Sequence, residues 1–288
     1  MTARSTANLC SLVLCGACAA GAVGSALAQA TTPAQALLAN NWVFNLGGFV
    51  VNSDLKANLN GQSSQNPEVD FDETFDRGSD ATRVRADLLW RITPAHHLRL
   101  MYFDNSNERS KVLADPVKWG DYTFQAGSNV NFKHEMEVIE LSYEYAFMRQ
   151  PTYEISASLG VHYTETTIQL DGTAIITNPD GTTRTESRAS KNTSVAAPLP
   201  VIGLRGAWAV APQWVLDAQV QYFGLSFDEY DGSWSDVRLG ATWMFSQNFG
   251  VGLGYNYFSS KLDVDKASFN GRLKLSYYGL QAYLTGSF

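Results

Sequence analysis

The chain has 288 residues, 28 acidic against 21 basic side chains and a pI near 5.1. Charged residues make up 17%, below the roughly 25% usual in soluble domains. This length allows one large domain or two small ones. The acidic balance argues against nucleic acid as a partner, because phosphate binding relies on clustered lysine and arginine.

The first segment reads "MTARSTANLCSLVLCGACAAGAVGSALAQA". Arg4 supplies a positive start, and an apolar run follows from Leu9 to Val23. The small residues of "ALA" at 26–28 then form a cleavage site. The pattern predicts a secretory signal peptide over residues 1–28, cleaved after Ala28 or after Ala30.

All three cysteines, Cys10, Cys15 and Cys18, lie inside this segment. A lipid anchor at Cys18 is the alternative interpretation, although Cys15 stands where a lipoprotein signal usually carries leucine. Cleavage after Ala28 would leave a chain without cysteine, and therefore without disulfides or thiolate metal sites.

Beyond residue 40 the apolar residues recur with period two. In "TRVRADLLWRI", Val84, Ala86 and Leu88 alternate with charged side chains, and "EVIELSYEYAF" and "TYEISASLGVHY" alternate in the same way. Such alternation predicts strands, because successive side chains point to opposite faces of a sheet. We predict strands at 42–57, 81–92, 97–110, 128–148, 152–171, 194–210, 214–226, 234–246, 249–262 and 271–288.

The predicted strands are much longer than the five or six residues usual in soluble sheets. Their connections alternate between short and long, which is typical of an outer-membrane barrel. The short ones are 93–97, 149–151, 211–213 and 246–248, and the long ones are about 59–80, 106–128, 172–193, 227–234 and 263–270.

Aromatic residues gather beside the short turns, as expected of rings that prefer the headgroup level of a bilayer. This aromatic girdle comprises Trp42, Trp90, Tyr145, Phe147, Tyr153, Trp208, Trp214, Trp243 and Phe249. A second group lies near the other strand ends: Tyr102, Tyr163, Tyr222, Tyr255 and Tyr257. Two girdles around an apolar band indicate lipid outside the barrel.

The sequence therefore predicts an all-β fold, a transmembrane antiparallel up-and-down β-barrel of about ten strands over residues 41–288. Its short turns should be periplasmic and its long loops extracellular. An eight-stranded barrel is the alternative if one hairpin lies wholly in the loops. Residues 29–40 are expected to form a helical turn or a loose leader.

The chain ends "GLQAYLTGSF", in which Leu280, Ala282, Leu284 and Phe288 share one face. A terminal phenylalanine on an alternating strand resembles the signal by which Gram-negative barrels are recognised for membrane assembly. The chain over about 250 residues resembles small outer-membrane barrels of the broad OmpA/OmpW-like group. "APLPVIGLRGAWAVAPQW" and this ending resemble, more narrowly, uncharacterised proteobacterial barrels.

The resemblance implies localisation in the outer membrane, a monomer, and the barrel-assembly machinery, outer-membrane lipid and lipopolysaccharide as partners. It carries no catalytic motif, and we expect no cofactor and no metal.

The predicted inward face holds many charges, since charge facing lipid at the midplane costs about 2–4 kcal/mol for arginine or lysine. These residues, the predicted lumen charge network, are Arg83, Arg85, Asp87, Arg91, Arg99, Glu140, Glu144, Glu154, Arg205, Asp217 and Arg238. A ten-stranded lumen is narrow, and unpaired buried charges are costly. Two interpretations stay open: an ion-pair plug, or a narrow pore lined by the same charges.

Other motifs carry weaker signals. Gly250, Gly252 and Gly254 fall on one inward face, where we expect them to make room for bulky lumen side chains or to allow strong curvature, rather than to bind nucleotide. His134 and His162 lack the aspartate–histidine pattern of omptin-like proteases, and "HYT" at 162–164 only approaches the His-x-Ser pair of lipid A deacylases.

The predicted loops are acidic, as in "PEVDFDETFDRGSD", "FDEYDG" and "KLDVDK". Clustered carboxylates can bind hard cations, but solvated loops are the expectation because none of these runs has EF-hand spacing.

The functional prediction is a non-enzymatic barrel, either a narrow pore for small solutes or a structural envelope barrel with a charge-plugged lumen. The alternative is a surface binding or adhesion protein acting through its acidic loops. An outer-membrane hydrolase is the weakest hypothesis.

Overall fold

The computed structural model describes residues 32–61, 65–75, 81–227, 230–265 and 270–288. The predicted signal peptide lies outside the described residues. Two short helices, α1 (Pro33–Ala39) and α2 (Phe71–Phe75), accompany one antiparallel sheet. The strands are β1 (Trp42–Leu59), β2 (Val69–Asp70), β3 (Ala81–Arg91), β4 (His96–Val112), β5 (Val117–Trp119), β6 (Tyr122–Phe124), β7 (Asn129–Gln150), β8 (Tyr153–Thr177), β9 (Thr183–Ala211), β10 (Trp214–Phe227), β11 (Tyr230–Met244), β12 (Phe249–Asp265) and β13 (Asn270–Ser287).

The ten long strands close into a ring in the order β8-β7-β4-β3-β1-β13-β12-β11-β10-β9, and β9 returns to β8. The ten-stranded prediction is confirmed, and the eight-stranded alternative is wrong. Closure pairs every long strand on both sides, which a bilayer requires because it offers backbone groups no other partner. Among the described helices, none has the length and apolar character needed to cross a membrane.

Strand β7 contains an inversion of polarity that divides the barrel into two layers. From Val130 to Ala146 its even-numbered side chains point inward, yet Phe132 and Met136 are apolar whereas Glu140 and Glu144 are charged. The outward face shows the opposite change along the strand: it is charged at Glu135 and apolar at Leu141. The phase of the strand is constant, so the change marks where the surroundings of the barrel change from lipid to water.

The same inversion occurs in β8 and β13. In β8 the outward Tyr163 is followed by the outward Glu165, while the inward face changes from His162 to Ile168. We call the part nearer the short turns the lower layer and the part nearer the long connections the upper layer. The lower layer is polar inside and apolar outside, and the upper layer is the reverse.

The connections follow the predicted alternation, with differences in the upper layer. Short turns join β3 to β4, β7 to β8, β9 to β10 and β11 to β12. The prediction of a long loop at 172–193 is wrong, because β8 continues to Thr177 and β9 begins at Thr183 around a turn with Gly181 at φ 81°. The predicted loop 106–128 likewise contains the end of β4 and the hairpin β5–β6.

Helix α1 occupies the mouth of the lower layer instead of forming a loose leader. Thr32 caps it by accepting a hydrogen bond from Gln35 N (3.3 Å), and Pro33 provides a favourable first residue. Leu37 and Leu38 pack inside the barrel in a cluster with β-strand residues. These partners are Val43, Leu89, Val215 and Met244.

The pairing of β9 with β10 ends at Ile202–Tyr222, although β9 continues beside β8. Ala209 N donates to the carbonyl oxygen of Thr152, the residue just before β8 (2.8 Å). Odd-numbered residues from 197 to 209 therefore direct their N–H to β8 and even-numbered ones toward β10. Pro198 and Pro200 are even-numbered and have no N–H. They therefore remove consecutive donors from the edge facing β10, and the ladder stops there.

Candidate functional site in the barrel lumen

The lower layer is held together by charged side chains that meet across the lumen. Asp87 on β3 lies 3.2 Å from Arg85 Nε and 3.3 Å from Arg238 Nη1, and all three side chains are buried. Arg238 belongs to β11, which β1, β13 and β12 separate from β3 in the ring. The Arg238–Asp87 pair therefore spans the interior and does not follow the wall.

Two glutamates on β7 form the next part of the same network. Glu144 accepts a hydrogen bond from Arg99 Nε (2.6 Å), with Arg205 Nε at 3.4 Å. Glu140 lies 3.0 Å from His162 Nε2 and accepts from Gln221 Nε2 at 2.7 Å. Because Gln221 comes from β10, this contact also crosses the lumen.

The network includes residues that were not among the predicted charges. Asn256 donates to Asp236 (2.9 Å) and accepts from Arg85 Nη1 (3.3 Å), linking β12, β11 and β3. Gln219 accepts a hydrogen bond from Arg205. A signal was available for all three, since each is a polar residue at an inward position of an alternating strand.

Near the short-turn end, Glu154 lies close to two arginines and a histidine. Arg149 Nε lies 3.4 Å from Glu154, and Arg91 Nε and His97 Nδ1 each lie 3.7 Å from it. His97, where the predicted turn 93–97 meets the predicted strand 97–110, lies on β4 and is fully buried. Glu154 therefore connects side chains from β4, β3 and β7 at this end of the lumen.

Both arginines also bind the end of helix α1. Arg91 Nη1 donates to Asn40 O (2.7 Å), and Arg149 Nη2 donates to Leu38 O (3.0 Å). The last carbonyls of a helix have no partners within it, and cations near them are favourable. The helix thus closes the mouth as part of the charged layer.

The remaining predicted network residues lie at its margins. Arg83 donates to Asn105 Oδ1 (2.6 Å) at the boundary with the upper layer. Asp217 is half-buried with its carboxylate against Gly240, and its charge acts on Arg205.

The upper layer is a hydrophobic core inside the barrel, closed by the loop elements. Phe132 packs against both Phe71 and Phe75 of α2, with ring centroids 4.7 and 4.9 Å away. Trp119 of β5 lies edge-on to Phe71 at 5.4 Å and donates to Thr193 Oγ1 at 3.1 Å. These rings are fully buried or nearly so, so apolar side chains fill the lumen above the charges.

The prediction for the strand glycines is confirmed. A Cβ on Gly252 would collide with the ring of Tyr283, and one on Gly250 would lie 2.6 Å from Met244 Sδ. Tyr283 uses that space to place its hydroxyl 2.9 Å from Thr242 and its ring 5.7 Å from the Arg238 guanidinium.

The acidic loops are largely paired where the structure describes them. Glu68 lies 2.7 Å from Lys274 Nζ, and Asp263 accepts from Arg272 Nε at 2.6 Å. Asp70 accepts from Lys56 Nζ at 2.7 Å and caps helix α2 by accepting from Glu73 N at 3.1 Å. Of the acidic positions in these runs, Asp76, Asp80, Asp228 and Glu229 lie outside the described residues.

The histidines considered for catalysis lie deep inside the barrel. His162 is buried against Trp234, with ring centroids 4.1 Å apart, and His134 is fully buried in the upper layer. Within the described ranges, no group of three or more histidine, cysteine or carboxylate residues is placed to hold a metal ion.

The outer face carries the predicted aromatic girdle. Trp42 stacks on Trp90 at 5.2 Å, and Phe249 meets Phe288 edge-on at 5.8 Å. Trp42 and Phe288 exchange backbone hydrogen bonds of 2.8 and 2.9 Å, so the start of the first strand is paired with the end of the chain. Most other members face outward and are substantially exposed: Tyr145, Phe147, Trp208, Trp214 and Trp243. Tyr153 is half-buried.

The terminal residues Leu280, Ala282 and Leu284 also face outward beside Phe288. The lower layer thus presents an apolar outer surface between its aromatic ends, as a lipid-facing wall requires.

No protein-family model matches this sequence, and no curated protein matches it. Among solved structures, the outer-membrane protease OmpT from Escherichia coli is similar, with a TM-score of 0.60 and 12% sequence identity. The alignment covers 86% of this chain and 97% of that chain. The fold is that of an outer-membrane β-barrel.

Weaker structural matches include the toluene transporter TodX of P. putida, with a TM-score of 0.37 and 9% identity over 90% of this chain and 93% of that chain. Neisserial surface protein A matches with a TM-score of 0.34 and 10% identity over 86% and 97%. At 12% identity, the similarity to the OmpT structure concerns the fold alone.

Proposed function

We propose that this protein is a non-enzymatic outer-membrane barrel whose lumen is closed, and that it serves the envelope as a structural barrel rather than as an open pore. The Arg238–Asp87 ion pair carries the proposal, because it joins well-separated strands through the middle of the lower layer. We further propose that residues 1–28 are removed as a signal peptide and that the barrel is a monomer in lipid and lipopolysaccharide.

Closure at three levels supports this function. Helix α1 occupies the short-turn mouth, the charged network fills the lower layer, and the aromatic cluster around Phe132 fills the upper layer. A hydrated path for solutes would require all three to open. Opening the lower layer alone would break or expose several buried ion pairs. The residues proposed for a pore lining therefore act as a plug.

The other two functional hypotheses receive less support. A loop binder would need free carboxylates, but Glu68, Asp70 and Asp263 already pair with cations of the same chain. A hydrolase would need an accessible base, but the imidazoles of His134 and His162 are buried. The similarity to OmpT concerns the fold alone and assigns no catalytic residue to this chain.

Single-channel recording of the refolded protein in a planar bilayer tests the proposal. We expect no discrete conductance steps, with an established porin in the same bilayer as positive control. Steps whose ion selectivity changes with Arg85→Glu would overturn the plug and establish the pore. Folding of each preparation is checked by strand circular dichroism and by the slower electrophoretic migration of the barrel after boiling.

A further inference from the structure

An apolar groove of about 570 Å³ lies on the outer wall across β10, β11, β12, β13 and β1. Gly48, Ala282, Leu253 and Ala241 are consecutive register partners across β1, β13, β12 and β11, and three of the four are small. Larger residues form the sides and base of the groove: Leu46, Leu284, Trp214, Trp243 and Val251. The volume falls within the roughly 300–1,000 Å³ usual for ligand sites.

The wall is concave here because both of its faces lack bulk. On the inner side, Gly252 and Gly47 leave space into which Tyr283 packs, and the Tyr283 hydroxyl is held by Thr242. On the outer side, Ala241 and Ala282 leave a depression between exposed leucines. The groove is therefore built by the packing of the lumen and is not a gap between mobile side chains.

The position of the groove fits the depth of one leaflet. Trp214 and Trp243 are register partners at the short-turn girdle and form its lower end. At about 3.3 Å per residue, Gly48 lies roughly 20 Å along β1 from Trp42, or about 15 Å along the bilayer normal at the usual strand tilt. The groove thus runs from the periplasmic girdle toward the middle of the apolar band.

We propose that this groove binds an acyl chain of a glycerophospholipid from the periplasmic leaflet. The lining offers apolar surface along its length, which suits a hydrocarbon chain and not a headgroup. Polar atoms occur at the lower end, where Trp243 Nε1 donates to Gln213 Oε1 at 3.5 Å. Carbonyl and headgroup atoms of such a lipid would lie at that level.

A second copy of the chain is the less suitable occupant. A two-fold dimer would place the same concave patch against itself, and two facing depressions would leave a void without contacts. Lipid already covers the adjoining wall, so a chain in the groove continues an existing interface. The inference is independent of whether the lumen conducts.

Native mass spectrometry of protein released from phosphatidylethanolamine nanodiscs tests this site. The full barrel should retain bound phosphatidylethanolamine, and Ala241→Leu with Ala282→Leu should lower the retained fraction about tenfold, as expected when a chain loses roughly two methylene contacts. Ala157→Leu is the matched control, because Ala157 lies on the outward face of β8, which stands opposite β13 in the ring.

Equal lipid retention in the double variant and the unmodified protein would overturn the proposal, as would equal loss in the Ala157→Leu control. A dimer that the double variant abolishes would also overturn it, because the groove would then be an interface between copies. Heat-modifiable migration of each variant shows that the barrel is folded before lipid is counted.

Discussion

The lower and upper layers of the barrel are built from the same strands, but the polarity of their inward and outward faces is opposite. In β7, Glu140 and Phe132 both point inward, one into an ion-pair network and the other into an aromatic core. Outside them, Leu141 faces lipid and Glu135 faces water. The comparison teaches that the surroundings of the wall, and not the strand itself, select which face is apolar.

Charge in the lower layer is tolerated only because it is paired. Substituting Asp87→Ala leaves Arg85 and Arg238 buried without their shared carboxylate, and we expect the free energy of unfolding to fall by about 3–5 kcal/mol. Reversible urea unfolding in lipid vesicles measures this change.

The triple variant Asp87→Leu, Arg85→Met and Arg238→Met should recover part of that loss, because apolar residues of similar volume replace the three charged side chains while Asn256 and Asp236 remain. A triple variant as unstable as Asp87→Ala would show that the charges stabilise the barrel in some way other than mutual compensation.

The upper layer should behave as an ordinary hydrophobic core. Phe132→Ala removes the ring that packs against both Phe71 and Phe75, and it should lower the free energy of unfolding by about 3 kcal/mol or more. The loop 65–75 should then become sensitive to protease in intact vesicles. Lys133→Ala, on the opposite face of the same strand, should leave the loop protected, and cleavage in both variants would argue against a packed plug.

The outer face gives the sharpest test of the boundary between layers. Leu141→Lys places a cation in lipid and should destabilise the barrel by about 2–3 kcal/mol. Glu137→Lys, on the same face of β7 but in the upper layer, should change the unfolding free energy little. Similar costs at both positions would place the boundary elsewhere.

The smallest expected effect concerns the cap of helix α2. Partial burial alone would raise the pKa of Asp70, but the hydrogen bonds from Lys56 and Glu73 N outweigh it, so this pKa lies below its ordinary value. The stabilisation is therefore complete above the unfolded-state pKa, about 3.9, and is lost as pH falls through the lower folded value.

Hydrogen exchange of residues 65–75 between about pH 5 and 2 measures this loss. The protection of the loop should decrease in that window, once the intrinsic pH dependence of exchange is subtracted. Asp70→Asn removes the titrating group, so its corrected protection should not change with Asp70 protonation. An identical pH dependence in both proteins would assign the effect to other carboxylates.

Local periodicity was enough to determine the wall of this protein. Alternation placed all ten long strands within a few residues of their observed ends, except where β8, β9 and β11 continue beyond the predicted positions. The alternation along each strand also predicts that Phe288 points outward and that Arg85 and Glu144 point inward. The change of outward polarity, between Glu137 and Ile139 in β7 and between Tyr163 and Glu165 in β8, was present in the sequence, and it marks the layer boundary.

Only the tertiary structure decided which inward residues meet. Asp87 and Arg238 are separated by 151 positions and three intervening strands, so their contact depends on the diameter of the closed ring. The insertion of α1 depends on Arg91 and Arg149, which donate hydrogen bonds to the carbonyl oxygens at its end. The upper core depends on the packing of α2 against Phe132. The period of a strand determines whether each side chain points inward or outward, whereas closure of the ring brings inward side chains of distant strands into contact.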